Sequence, residues 1–245
     1  SDTAFEPKIG SWVPQFGDVP RGGSADAAVG PFDPAEMQRG QAGYHGLVTH
    51  IDHRLSHLFQ QVYQHGAADN DERPLWVIVT SDHGEMLGDH QLFRKALPYE
   101  GSAHVPMAIW TRNQPRPARG GPSDALVSLE DLLPTICDMA GIDTPDGVDG
   151  KSLMPIVNGE VESVREGIFG EHSGGGRANH FLVRGNLKYV WFAENNEEQL
   201  FDLSAVAWEL NDVSNRAELL EPLRSEMTHH LDGRYDYTFD PSANT

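Results

Sequence analysis

A carboxylate and an imidazole on consecutive residues follow a short apolar run. Residues 75–79 are apolar and rich in β-branched side chains, which predicts a strand buried on both faces, as in a parallel sheet. Asp82 and His83 stand just beyond its end. Ligands bind beyond the carboxyl ends of strands in open α/β sheets, and an oxygen and a nitrogen there can share one divalent ion. Asp82 and His83 are therefore candidate metal ligands, although from the residues alone a hydrogen-bonded Asp-His-Gly turn is the favoured interpretation.

Two further side chains within residues 84–98 are candidates to act on a substrate beside that ion. Lys95 carries a point charge on a flexible stem, which can neutralise charge that develops on an anionic group. Its neighbour Arg94 is expected to face solvent or to pair with an acid. His90 is predicted to donate to a leaving oxygen, to orient a ligand, or to stabilise the loop. Lys95 and His90 are thus the candidate catalytic residues.

Four other polar residues of this stretch are predicted to be structural. Glu85 and Asp89 would repel an anion bound so close to them, so we expect them to hold the loop or the metal ligands through hydrogen bonds. Tyr99 and Glu100 are expected to support the fold, and Gly101 lets the backbone turn beside them.

The composition excludes several classes of partner. A formal charge of -19 at pH 7 repels the phosphate backbone, so we expect no nucleic-acid partner. No apolar run approaches the roughly 20 residues that span a bilayer, so we expect no membrane segment. Cys137 is the single cysteine, which excludes an internal disulfide and a cysteine-based zinc cage. The compartment stays undetermined, either cytoplasmic or periplasmic.

The first half of the chain is predicted to contain an irregular segment and a long helix. Residues 1–35 are rich in Gly, Pro, Asp and Ser, which predicts a segment that wraps a larger body. From about residue 34 to residue 65, apolar residues recur at helical spacing. They are Met37, Leu47, Val48, Ile51, Leu55, Leu58, Phe59 and Val62. His53 and His57 lie four apart on this helix, but no further ligands stand nearby and a wet surface is favoured over a zinc site.

A second strand and a second helix follow the candidate site. Residues 105–110 predict a strand, and residues 128–139 predict a helix that Gly141 ends. The apolar residues Leu129, Leu132, Leu133 and Ile136 are expected to face inward. Cys137 is expected to be a packing residue of that helix.

The last third of the chain is predicted to form a small antiparallel sheet with a covering helix. Strand-like runs cover residues 166–172, 180–184, 187–193 and 199–203, and the closing helix covers about residues 216–231. Gly185-Asn186 is a hairpin signal between two of the runs. Glu171 and His172 could line a substrate pocket, although a surface hairpin is the favoured interpretation.

Four blocks in this order resemble the sulfatase family of the alkaline-phosphatase-like superfamily. The longest block runs from Thr80 to His90 and continues through Lys95, residues 99–102 and Val105-Pro106. The others are residues 43–52, residues 149–155, and residues 200–203 with 209–211. One block alone would be weak, but four in order make a chance match improbable.

The resemblance implies a fold and a division of the chain. The expected fold class is α/β, part of an alkaline-phosphatase-like sandwich that ends in a small antiparallel sheet plus helix. Residues 1–35 would be the wrapping segment, residues 36–155 the C-terminal part of the α/β core, and residues 156–245 the small subdomain. The family often carries an Arg where this chain has His104.

The resemblance also implies an activity and its cofactors. It implies a metal-dependent sulfatase that hydrolyses a small-molecule or carbohydrate sulfate ester, and it favours Asp82 and His83 as ligands of the metal over a simple turn. Calcium is the first expectation for the metal, with manganese or zinc as alternatives because imidazole suits them better. The family's nucleophile is a formylglycine made in a Cys/Ser-x-Pro-x-Arg motif, which this chain lacks. We therefore expect a missing N-terminal portion to supply it, and the chain alone to be inactive.

Two alternatives to a sulfatase remain open at this point. A phosphonate monoester or phosphodiester hydrolase of the same superfamily would use the same scaffold. A non-catalytic binding module derived from the fold would have lost the nucleophile altogether.

Overall fold

The computed structural model describes residues 27–29, 33–68, 74–112, 120–172, 178–204 and 209–234. The strands are β1 (Ala27–Val29), β2 (Leu75–Thr80), β3 (Leu92–Arg94), β4 (Met107–Arg112), β5 (Gly167–His172), β6 (Asn179–Arg184), β7 (Leu187–Phe192) and β8 (Glu197–Asp202). The helices are α1 (Pro34–Ala68), α2 (Glu100–Ala103), α3 (Leu132–Ala140), α4 (Met154–Val157) and α5 (Ala217–Leu231). Most of the predicted wrapping segment lies outside the described residues, and β1 within it pairs antiparallel with β3.

The strand β2, which leads to the candidate site, has an antiparallel neighbour where parallel neighbours were predicted. β2 pairs antiparallel with β4, with Leu75 opposite Arg112 and Thr80 opposite Met107. Val79 and Trp110 are exposed among the described residues, so the prediction of a parallel strand buried on both faces is wrong for this chain. Apolar β-branched residues specify an extended backbone, but the segments that pair with it and cover it are decided by tertiary contacts.

The helix α1 carries an apolar stripe that the described residues leave uncovered. The Asp33 carboxylate accepts from the backbone N–H groups of Ala35 and Glu36, at 2.9 and 3.2 Å, and so caps its start. The predicted helix is confirmed over Pro34–Ala68. Of its apolar side chains Met37 is buried, whereas Leu47 and Ile51 are 64% and 56% exposed. An exposed apolar stripe of this length indicates a surface for a partner.

The predicted small antiparallel sheet is confirmed as β5-β6-β7-β8, and Gly185 turns its β6–β7 hairpin at φ 57°. Because strand side chains alternate, the sheet divides its apolar residues between two faces. One face packs on the segment after β2, through Met86, Leu92, Leu97, Tyr99, Phe181, Val190, Phe192 and Phe201. The other packs on α5, through Leu182, Tyr189, Trp191, Leu200, Leu220, Leu223, Met227 and Leu231. The sheet is therefore a middle layer between α5 and the candidate site.

The helix α3 turns a different face inward from the one predicted. Leu133 and Ile136 are exposed, while Thr135 and Cys137 are buried. The cause is Asp131, which is fully buried, pairs with the Arg165 guanidinium and accepts from the Lys151 backbone N–H at 2.8 Å. A buried carboxylate keeps these partners because leaving it unpaired is costly, and this fixes the rotation of the helix. The prediction that Cys137 is a packing residue is confirmed.

No helix in the described part of the chain is both long enough and apolar enough to cross a bilayer.

The uncovered stripe of α1 leads to a prediction about stability. In the chain alone, Ile51→Glu should change the free energy of unfolding by less than about 0.5 kcal/mol, because the side chain is largely exposed. The same change at Leu220, which is buried against the sheet, should abolish a cooperative transition in urea. A large loss for Ile51→Glu would mean that the stripe is already covered within this chain.

Candidate active site

The end of β2 is shaped by local hydrogen bonds. The Ser81 hydroxyl donates to the His83 carbonyl at 2.7 Å, and the His83 backbone N–H donates to Asp82 Oδ1 at 3.0 Å. These bonds form a tight turn in which the strand's alternation is lost, so consecutive side chains can converge. The Asp82 side chain is 83% exposed and that of His83 is half-buried.

The tautomer of His83 follows from its hydrogen bond to the next residue. Nδ1 lies 2.8 Å from the Gly84 carbonyl oxygen, which can only accept, so Nδ1 carries the proton. In the neutral imidazole Nε2 then carries the lone pair. It lies 3.5 Å from Asp82 Oδ2 and 2.5 Å from Lys95 Nζ. The structure thus brings Lys95 to His83, which stands twelve positions earlier in the chain, and Asp82 lies beside that histidine.

The donor set at this point fits a divalent ion. A lone pair on imidazole and a carboxylate oxygen, held side by side, are two ligands of the kind that zinc and manganese accept, and the carboxylate also suits calcium. Among the described residues no group of three or more His, Cys, Asp or Glu side chains is clustered for metal binding. The pair is thus a partial ligand set, which requires further oxygen or nitrogen atoms from elsewhere.

Two backbone hydrogen bonds hold the turn against α2. The N–H groups of Gly84 and Glu85 donate to the carbonyls of Ser102 and Gly101, each at 2.8 Å. A Cβ at Gly84 would lie 2.2 Å from the Gly101 carbonyl oxygen, so only glycine allows this approach. The position of His83 is therefore fixed by the segment 101–102.

The Glu85 carboxylate holds the loop, as predicted. Its Oε1 accepts from the backbone N–H of Leu87 at 3.3 Å and from that of Arg94. The contact with Arg94 joins the start of the loop to the strand β3, which immediately precedes Lys95.

His90 lies inside the loop and is buried. Its ring stacks on that of Tyr99 with centroids 4.4 Å apart and an angle of 13° between the planes. Its φ of 54° is in the left-handed region, which costs energy for a residue with a side chain. Packing against Tyr99 offsets that cost, and this geometry is that of a residue that supports the loop.

The residues that follow Lys95 are fastened to the C-terminal sheet by buried side chains. The Asn179 amide Nδ2 donates to the Ala96 carbonyl at 3.1 Å, and the Tyr99 hydroxyl donates to Gln199 Oε1 at 2.9 Å. The Ser102 hydroxyl donates to the Lys95 carbonyl at 3.1 Å. The backbone of Lys95 is thus held from both sides, which leaves mainly its side chain free to move.

A buried ion cluster lies behind this loop, and sequence reasoning missed it. Lys188, whose side chain is 1% exposed, places Nζ 2.9 Å from Glu100 Oε1 and 2.9 Å from Glu209 Oε1. Glu209 Oε2 accepts from the Glu100 backbone N–H at 2.6 Å. The signal in the sequence is a lysine in register with Val190 and Phe192 on the buried face of β7, where an unpaired charge is not tolerated.

The charges of this cluster shift the pKa values of its members. Burial raises the pKa of Glu100, but the bonds from His104 and Lys188 outweigh it and lower that pKa to about 2. The bond to Glu100, 2.8 Å long, raises the pKa of His104. His104, where the family often has Arg, therefore still forms an ion pair. Burial raises the pKa of Tyr99, so its hydroxyl stays a donor.

The sequence matches two family profiles over most of its length. Residues 18–142 match the family described as Sulfatase, and residues 88–235 match the family described as N-sulphoglucosamine sulphohydrolase, C-terminal. The chain belongs to the sulfatase family. Its fold is accordingly that of the alkaline-phosphatase-like superfamily, as the resemblance implied.

Individual relatives agree with this assignment. The chain is 36% identical over 233 residues to an arylsulfatase of Clostridium perfringens, a match that covers 94% of this chain and 48% of the relative. A phosphonate monoester hydrolase of Silicibacter pomeroyi superposes with a TM-score of 0.69 at 27% identity, over 86% of this chain and 44% of that one. A protein solved with its substrate D-glucosamine-2-N,6-O-disulfate has a TM-score of 0.65 at 23% identity, over 75% and 38%, and shares the fold. The chain thus spans about half the length of these relatives.

The depressed pKa of Glu100 leads to a prediction about acid stability. Because its folded pKa of about 2 lies below the ordinary 4.5, the ionised carboxylate stabilises the fold above pH 4.5, and this stabilisation is lost as pH falls toward 2. Glu100→Gln should lower the free energy of unfolding at pH 6 by on the order of 3 kcal/mol, measured with urea. The difference from wild type should shrink as pH falls below 4.5.

The exposed Glu194→Gln provides the matched control, since it removes the same charge at the surface. Its unfolding curve should follow that of the wild type at each pH. A Glu100→Gln deficit that stays constant between pH 6 and pH 3 would contradict the assigned pKa.

Proposed function

We propose that this chain is the C-terminal portion of a sulfatase that hydrolyses sulfate esters. The observation that carries the proposal is the meeting of Asp82, His83 and Lys95 at the end of β2. Membership of the sulfatase family and the similarity to an arylsulfatase support it. The chain alone is proposed to be inactive.

The role of Lys95 follows from its charge and its support. Its ammonium lies beside the two ligand atoms, on a backbone held by Ser102 and, through Ala96, by Asn179. A sulfate oxygen placed there would meet the positive charge of the ammonium as negative charge develops on the ester. The His90 ring stacks on Tyr99, and we propose that His90 acts by holding the loop that carries Lys95.

Asp82 and His83 are proposed to bind a divalent metal, with calcium as the first candidate and manganese or zinc as alternatives. A bound metal would polarise the ester and lower the pKa of an attacking hydroxyl. The hydrogen bond from His83 Nδ1 to Gly84 holds the ring in place, so that Nε2 of the neutral imidazole can face the metal. The further ligands and the formylglycine nucleophile are proposed to come from outside this chain.

The uncovered stripe on α1 fits the same interpretation. The arylsulfatase of Clostridium perfringens is about twice as long as the matched chain, so a comparable length of polypeptide is available to cover Leu47 and Ile51. We propose that the N-terminal portion of the same protein docks there. In the intact protein Ile51→Glu would then lower the melting temperature, unlike in the chain alone.

A phosphonate monoester hydrolase is the second candidate. The superposition on such an enzyme of Silicibacter pomeroyi favours it, and so does the imidazole ligand, which suits transition metals better than calcium. The two candidates differ in substrate, since the same positive site accepts either tetrahedral anion.

The function is tested with the intact protein on phenyl sulfate and on a phenyl phosphonate monoester. We expect the sulfate to be preferred, and Lys95→Ala to lower kcat/KM about 10²- to 10³-fold. Arg94→Ala removes the neighbouring exposed cation and should leave kcat/KM within about threefold. A large preference for the phosphonate would select the second candidate, and no hydrolysis of either ester would favour a binding module.

The metal is tested by elemental analysis of the intact protein after dialysis. The wild type should retain about one divalent ion per chain, and the element found decides among calcium, manganese and zinc. His83→Ala should reduce the retained metal, since it removes one ligand. His57→Ala, on the exposed face of α1, should retain as much as the wild type. Equal metal content in the His83 variant would exclude it as a ligand.

A further inference from the structure

The short helix α2 supports both parts of the candidate site. Its Ser102 carbonyl accepts from the backbone N–H of Gly84, the residue after His83, at 2.8 Å. The Ser102 hydroxyl donates to the Lys95 carbonyl at 3.1 Å. The position of α2 therefore sets where the His83 turn and the Lys95 backbone lie relative to each other.

One imidazole closes the turn of α2 on its exposed side. The His104 backbone N–H donates to the Glu100 carbonyl at 3.1 Å, and His104 Nδ1 lies 2.8 Å from Glu100 Oε2. The His104 side chain is 76% exposed, whereas that of Glu100 is 17% exposed. The imidazole can therefore exchange protons with solvent while it contacts a carboxylate that is mostly buried.

The charged groups behind this carboxylate leave one negative charge in excess. Glu100 of α2 and Glu209 both pair with a single cation, Lys188 of β7. Burial raises the pKa of Glu209, and repulsion from Glu100 adds to that rise. A protonated His104 supplies a second cation, so that two positive groups then face the two carboxylates.

The charge on this imidazole is lost as the solution becomes alkaline. The bond to Glu100 raises the pKa of His104 above the ordinary 6.5, although burial and repulsion from Lys188 oppose the rise. Because the folded pKa is raised, the stabilisation from charged His104 is complete below pH 6.5 and is lost as pH rises through the folded pKa. Glu100, with a pKa of about 2, stays ionised throughout.

We propose that His104 is a positioning residue that makes the rigidity of the candidate site depend on pH. The charged imidazole holds Glu100, and with it α2, against the buried lysine, and the neutral imidazole weakens that hold. Since α2 supports both His83 and Lys95, these two groups are held more firmly in acid than in alkali. The inference deepens the proposed function and rests on it, because a firmer site affects turnover only if an ester reacts there.

Hydrogen exchange of the Gly84 and Glu85 amides in the intact protein tests this coupling without a substrate, because both amides donate to carbonyls of α2. His104→Arg keeps a cation at every pH, and His104→Gln removes it at every pH. At pH 5.5 the wild type should exchange as slowly as His104→Arg. At pH 9 it should exchange about two- to fivefold faster than His104→Arg and as fast as His104→Gln, the effect of one partly screened ion pair.

The control is His229→Arg, the same change at an exposed position of α5, which should exchange as the wild type does at both pH values. Equal exchange in the wild type and His104→Arg at pH 9 would overturn the proposal. So would equal exchange in the wild type and His104→Gln at pH 5.5, a comparison that decides even if His104→Arg does not fold.

Kinetics separates this inference from the proposed function. For phenyl sulfate, the ratio of kcat/KM in His104→Arg to that in the wild type should rise about two- to fivefold between pH 5.5 and pH 9. A constant ratio overturns the positioning role while sulfatase activity stands. If the intact protein hydrolyses no ester, the proposed function fails, and the exchange rates alone support or overturn the coupling of His104 to the site.

Discussion

The ammonium group of Lys188 is buried, and a buried charge is tolerated only with partners of opposite sign. Its partners, Glu100 and Glu209, come from segments far apart in the sequence, and the Glu100 backbone N–H also donates to Glu209. Separating any of these segments would leave a charge unpaired in the interior. The cluster therefore fastens α2, and with it the residues after Lys95, to the face of β7.

Through this cluster the C-terminal sheet helps to position the loop of the candidate site at the end of β2. The sheet packs α5 on one face and the loop of the candidate site on the other. Several residues of that loop, among them Leu87, His90 and Arg94, have positive φ and would relax without external support. The stack of His90 on Tyr99, and the bonds to Asn179 and Gln199, supply that support. A flexible lysine is thus presented from a constrained backbone.

Local pattern predicted most elements correctly, and failed where distant segments decide. The apolar spacing along α1 identified a helix, because helical faces repeat every three to four residues. The alternation along β5–β8 identified strands, because strand faces repeat every two residues. The partner of β2 and the inward face of α3 depend on contacts absent from those windows. Leu133 and Ile136 were expected inside, but the partners of Asp131 turned them outward. Lys188 was overlooked because only the folded structure shows that its face of β7, shared with Val190 and Phe192, is buried against the loop.

For the site, sequence alone determined that Asp82 and His83 follow a strand, and that a lysine stands twelve positions after the histidine. Residue types also made them candidates, the carboxylate and the imidazole for a metal and the ammonium for an anion. The tertiary structure decided the 2.5 Å approach of Lys95 to His83, the tautomer of the imidazole, and the hydrogen bond from Asn179 to the Ala96 carbonyl. These depend on how the loop packs on the sheet, since burial and long-range pairing are properties of the folded chain.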